Sequence, residues 1–184
     1  GGAGEVFDLV IASRKTIEDL AKQGRIVPGS GVDLVKSGVG AAVRAGAPKP
    51  DISSGEAVKR AVLAAKSVAY SSGPSGVHLL ELLEKQGILG MLRPRIKQLP
   101  SGQSVGEALA RGEGDLGFQQ VSELLHVSGI TYVGPLPAEV QKVTVFAGGV
   151  PKTAKDAAVA REFLTFLKNT RNAAVVKKAG LELP

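Results

Sequence analysis

The chain has 184 residues, 43% hydrophobic and 22% charged, enough for one large domain or two small lobes around a real core. Its net charge of +6 is scattered, densest at Arg93, Arg95 and Lys97 and at Lys177 with Lys178; with 4% aromatics and no Trp it has few stacking platforms, which argues against nucleic acid and for a mild positive field that attracts small anions. The absence of Cys excludes disulfides, thiolate metal sites and Cys nucleophiles, no apolar run reaches the roughly eighteen residues that span a bilayer, and the opening GGAGEVFDLVIA lacks the basic-then-apolar order of a signal peptide, so the start reads as mature, engineered or truncated.

Val6 to Ala12 is rich in β-branched and apolar residues and reads as a buried strand. Lys15 to Gln23 reads as a helix, with Ile17, Leu20 and Ala21 on one face and Gly24 as its stop. Two strand-like runs follow, Val32 to Lys36 and Gly38 to Arg44. Gly46 to Asp51 is a Pro-rich linker, and Ser53 or Ser54 caps a helix through Glu56 to Lys66. Ser67 to Tyr70 is a short strand, and SSGPSG turns the chain into the amphipathic helix HLLELLEKQG. Arg95 to Leu99 and Asp115 to Gln119 read as strands, with a helix from Ser104 to Arg111 between them. A short helix covers Val121 to Leu125. Ile130 to Val133 and Val143 to Ala147 are strands, a long helix starts at Pro151, and Asn172 to Ala179 forms the last helix, closed by Gly180.

Strands alternate with helices throughout, so the expected class is α/β with largely parallel sheets. The linker from Ala45 to Pro50 and the segment from Phe146 to Pro151 are the expected crossings of a two-lobed chain. They assign residues 1–45 and 148–184 to a first lobe and 46–147 to a second.

Three strand-to-helix loops carry the chemistry, because ligands of open α/β sheets bind at the carboxyl ends of strands, where helix starts offer unpaired N–H groups. In Ser71 to Val77 the glycines admit a ligand to the backbone, Ser71 and Ser75 offer hydroxyls, and the N–H groups of Gly76 and Val77 are expected to point outward. A tight turn with Ser75 capping the helix accounts for the same residues. In Ser101 to Glu107, Ser104 stands at capping-box spacing from Glu107, which explains the loop with or without a ligand on Ser104 and Val105. In Leu116 to Ser122, Gln119 and Gln120 follow a strand; their amides donate and accept and can read a carboxylate or hydroxyl, and an exposed loop with two ordinary glutamines is the plainer account. His78 and His126 fit no metal-ligand spacing, and no pairing of nucleophile and base is visible.

Together the segments FDLVIASRKTIEDLAKQGRIVPGSGVDLVKSGVGAAVRAGAPKPDIS, GPSGVHLLELLEKQGI, SVGEALARGEGDLGFQQVSELL, GPLPAEVQ and VFAGGVPKTAKDAAVAREFLTFL resemble the molybdate-binding-protein-like branch of bacterial solute-binding proteins, across essentially the whole chain. The resemblance implies a type 2 periplasmic-binding-protein fold. Two α/β lobes close on a small anion in the cleft between them, and an ABC permease reads the closed form. It implies a periplasmic location and a binding protein rather than an enzyme, with no cofactor and no metal. Molybdate binders use a helix start that falls here on Ser75 and Gly76, and a second that falls on Val105 beside Ser104. Their Tyr after the motif strand is replaced by Gln120, which puts molybdate or tungstate itself in question and makes an organic carboxylate a candidate beside an oxyanion. Such proteins also begin with a strand and helix carrying oxyanion-binding hydroxyls, so the first lobe is expected to be truncated at its N-terminus. The sheet edge this would leave invites a homodimer. Two rivals stand beside this reading: the ligand-sensing effector domain of a transcription regulator, and a small enzyme on the same scaffold.

Overall fold

The computed structural model describes residues 9–170 and 173–184. The chain separates into two compact units, Gly1–Ser37 with Thr144–Pro184, and Gly38–Val143. In chain order the first unit supplies β1 (Val10–Ser13), α1 (Arg14–Lys22) and β2 (Val32–Ser37). The middle unit follows with β3 (Val39–Arg44), α2 (Gly55–Ala64), β4 (Val68–Tyr70), α3 (Pro74–Lys85), α4 (Leu89–Leu92), β5 (Ile96–Gln98), α5 (Val105–Ala110), β6 (Leu116–Gln120), α6 (Val121–Leu124) and β7 (Ile130–Pro135). The first unit resumes with β8 (Thr144–Gly149), α7 (Ala157–Thr170) and α8 (Ala173–Lys178). The divisions fall at Ser37/Gly38 and Val143/Thr144 rather than after residues 45 and 147. The reason is that β3 is hydrogen-bonded between β6 and β7 and lies wholly in the middle unit.

The first unit is a three-stranded sheet in the order β1-β8-β2, antiparallel throughout. Ser13 starts α1 by accepting the Thr16 N–H at 3.2 Å, and Gly24, at φ +73°, ends the turn beyond it. The strand expected from Val6 to Ala12 is described from Val10 onward, and residues 6–8 lie outside the described part. What is described is not buried on both faces. Val10 and Ala12 pack toward Ile17, Ile26 and Ala147, while Ile11 is 57% exposed, as alternation requires at a sheet edge covered on one side. The long helix begins at Ala157, not Pro151. Asp156 Oδ1 accepts the N–H groups of Ala158 and Val159, both at 3.1 Å, and this cap fixes the start. Pro151 instead bridges to Ile26. Asn172, the expected start of the last helix, lies outside the described residues.

The middle unit holds five strands in the order β5-β4-β6-β3-β7. Here β4 runs parallel to β5 and β6, whereas β3 is antiparallel to both β6 and β7. The expectation of largely parallel sheets therefore fails. The successive strands β4, β5 and β6 are joined through α3 and α5 and run parallel, but β3 lies between β6 and β7 in the opposite direction, and the pairs it makes are antiparallel. Period-two alternation gives the sheet two buried faces. Val68, Tyr70, Leu116 and Phe118 meet α2 and α3 in one core, and Ala42 and Ala69 meet Val105, Ala108 and Leu109 of α5 in the other. Of the two candidate caps for α2, Ser54 is the one used, accepting the Ala57 N–H at 3.0 Å.

Candidate functional site

The three candidate loops lie at the carboxyl ends of β4, β5 and β6 in the middle unit, β4 running parallel between the other two with Tyr70 opposite Phe118 and Gln98. The sheet nevertheless divides them by face. Gln119 follows Gly117 onto the α5 side, and Gln120 follows Phe118 onto the side where α3 packs. Ser71, Ser75, Gly76, Val77 and Gln120 are thus grouped on one face, and Ser104, Val105 and Gln119 on the other.

On the α3 side, β4 ends with the Tyr70 carbonyl accepting the Leu99 N–H at 2.9 Å. The chain turns at Gly73, the helix N-cap, and Pro74 occupies the first helical position. Ser75 is therefore inside the first turn and does not cap the helix. It is only 1% exposed, and its Oγ lies 2.8 Å from Ser71 Oγ. One hydroxyl of that pair donates to the other, which leaves a single O–H proton to offer a ligand. The N–H groups of Gly76 and Val77 do not point outward: both donate to the Gly73 carbonyl at 3.1 Å, because the first turn tightens on itself. Gly76 has a packing role instead. A Cβ there would lie 1.7 Å from the Ser71 carbonyl oxygen.

On the α5 side Ser104 is the N-cap, its Oγ accepting the Glu107 N–H at 3.2 Å, so the helix start is accounted for locally. The Val105 N–H is engaged too, donating to Gln119 Oε1 at 3.0 Å inside the core. Gln119 and Gln120, at 5% and 3% exposure, belong to β6 itself and are not members of an exposed loop. The amide of Gln119 also reaches Glu123, an exposed side chain on α6. Partial desolvation raises the Glu123 carboxyl above the usual carboxylate range, and the Gln119 hydrogen bond pulls it part of the way back.

Three further polar residues belong to this unit and carry no motif in the sequence. Gln141 behaves like a strand partner, its Oε1 accepting the Val39 N–H at 2.8 Å and its Nε2 donating to the Val39 carbonyl at 2.9 Å. Glu139 Oε1 accepts the Gly55 N–H at 2.6 Å at the start of α2. The His78 ring donates from Nε2 to the Val140 carbonyl at 2.7 Å. Gln141 and Val39 are 102 positions apart, too far for any local pattern to announce the pair. Among the described residues no group of three or more His, Asp or Glu is placed to hold a metal ion.

Comparison with known proteins bears on this arrangement. Residues 2–182 match the family described as "Bacterial extracellular solute-binding protein". A protein named aconitate isomerase, from Pseudomonas sp, is 37% identical over 179 residues, 97% of this chain and 68% of its own length. The periplasmic molybdate-binding protein of Azotobacter vinelandii superposes with a TM-score of 0.78 at 24% identity, covering 98% of this chain and 80% of that one. PEB3 with L-phospholactate bound superposes with a TM-score of 0.70 at 14% identity, covering 96% and 80%. At these identities the two structures speak for the fold, which is that of the periplasmic binding proteins.

Proposed function

Because the chain belongs to the bacterial extracellular solute-binding protein family, we propose that it captures a small organic polycarboxylate outside the cytoplasm and presents it to an ABC permease. The observation that carries the ligand class is the 37% identity to a protein named for aconitate. The site chemistry is compatible with it. The Ser71–Ser75 pair keeps one O–H proton to give, and Ser104 Oγ still has its own. None of these groups is charged, so a bound anion exchanges its hydration shell for neutral dipoles and remains releasable. Binding of this kind needs no cofactor and breaks no bond. The periplasm is the compartment that suits such a protein.

The relative's name favours a second reading, in which bound aconitate is turned over between its isomers. That chemistry needs a group to lift a proton and return it elsewhere. Glu123 is the titratable side chain that touches the candidate set, through Gln119.

Thermal unfolding against cis-aconitate, trans-aconitate, citrate and molybdate tests the first reading. A ligand that binds only the native state adds about 2.7 kcal/mol of stability at a hundred times its Kd. A rise with a tricarboxylate and none with molybdate is expected; a rise with molybdate alone, or with nothing, overturns it. Proton NMR of cis-aconitate left with the protein then separates the readings. An unchanged spectrum is expected, and growth of the trans isomer establishes the second.

A further inference from the structure

At the opposite end of the five-stranded sheet from the candidate loops lies an open groove of about 630 Å³, formed wholly within the middle unit. It is bounded by the carboxyl end of β3 and the segments that lead into β4 and β6. Its floor is apolar, made by Val43, Ala61, Ala65 and Leu116. Its rim carries Arg44, Lys49 and Lys66, all exposed, against one carboxylate, Asp115. Asp115 is already used locally, with Oδ2 accepting the Lys66 N–H at 3.0 Å. Among the described residues none of the three cations forms an ion pair. Arg44 is laid against the turn at Gly112, where a Cβ would sit 3.4 Å from its Nη1. That glycine, at φ +80°, leaves room for the guanidinium at the groove's edge.

Lys and Arg heads that meet no acid among the described residues, set around an apolar floor, complement a molecule with an apolar body and an anionic end. The groove's volume lies within the range of small-molecule clefts, about 300–1,000 Å³. We propose that it is a second binding site, for a small amphiphilic carboxylate, separate from the site of the transported solute. The transported solute is met by neutral dipoles at the carboxyl ends of the strands. The second ligand is met at their amino ends by exposed cations and apolar surface. Binding there is salt-sensitive and prefers a carboxylate to its uncharged analogue.

The test is a ¹H–¹⁵N NMR titration of the intact chain with 2-naphthoate, with 2-naphthamide as the uncharged control. Saturable shifts are expected at the amides of residues 44–49, 61–66 and 112–116, with the amide control binding more weakly. Arg44→Ala weakens naphthoate about threefold, the size of one exposed charge contact, and Arg44→Glu with Lys66→Glu weakens it more than about tenfold. These side chains are exposed and form no ion pair among the described residues, so the variants keep native spectra. Three outcomes overturn the proposal: no saturable shift at millimolar naphthoate, shifts centred on Ser71, Ser75 and Gln120, or unchanged affinity in the double variant. Since the readout is the location of the shifts, its failure is distinct from failure of the polycarboxylate reading.

Discussion

The Ser71 carbonyl closes over α3 at a distance that only hydrogen can occupy on Gly76. Gly76→Ala forces the strand end and the helix start apart, and with them the Ser71–Ser75 pair. Thermal or urea unfolding is expected to show a loss of about 1–3 kcal/mol, the range for overpacking, together with weakened tricarboxylate binding. A fully stable variant that binds normally would mean that the carbonyl moves freely. Charge acts at this scale as well. Hydrogen bonds from Ser53 hold the Asp51 carboxyl below its ordinary range. Its folded pKa is depressed, so its small contribution is present above the unfolded pKa and fades as pH falls through the folded value. The Glu123 carboxyl is raised by desolvation, so its contribution has the opposite sign and is lost as pH rises. Urea midpoints across the carboxylate range are expected to show a shallower acid limb for Asp51→Asn. The sequence marks Ser75 as a polar residue at a helix start and Gln119 as one at a strand end. It does not reveal that Gln119 occupies the Val105 N–H, because that bond joins two elements.

Between elements, Gln141 supplies the clearest dependence. Its amide pairs with both backbone groups of Val39, the first residue of β3, next to Gly38. A Cβ on Gly38 would come within 2.7 Å of its Nε2, so glycine and glutamine fit as a pair. Gln141→Ala removes both bonds and is expected to lower unfolding stability by about 1–3 kcal/mol, the cost of stranding the part-buried Val39 N–H, since the Val39 carbonyl keeps the Leu136 N–H at 2.9 Å. Gln141→Glu keeps the acceptor for the Val39 N–H but faces the Val39 carbonyl with an anion, and it restores little. Equal stability of wild type and both variants in urea would show that water replaces the side chain. Local signals identify most elements here, and boundaries move where a cap intervenes, as Asp156 shifts the start of α7.

At the level of the whole chain, the middle unit is continuous from Gly38 to Val143 and contains both large cores. The first unit is assembled from two separated segments. Residues 38–143 expressed alone are expected to melt cooperatively with native circular dichroism, since every strand pairing of the five-stranded sheet stays inside them. A broad, non-cooperative melt would show that the sheet needs the outer segments.

By itself the sequence determined the α/β class, the order of nearly all elements, the two-lobed plan and the resemblance to solute-binding proteins. Those follow from hydrophobic period, caps and turn residues, which act over a few positions. It also placed Ser71, Gln119 and Gln120 at or just after strand ends and Ser75 and Ser104 at helix starts. Only the tertiary structure decided that β3 runs antiparallel, that Gln119 and Gln120 face opposite sides of the sheet, and that the Gly76, Val77 and Val105 N–H groups are already bonded. The strand direction, the two glutamine faces and the Val105 bond depend on which strand lies beside which, and pairings between distant segments have no local code; the Gly76 and Val77 bonds are local and follow from the helix starting at Gly73.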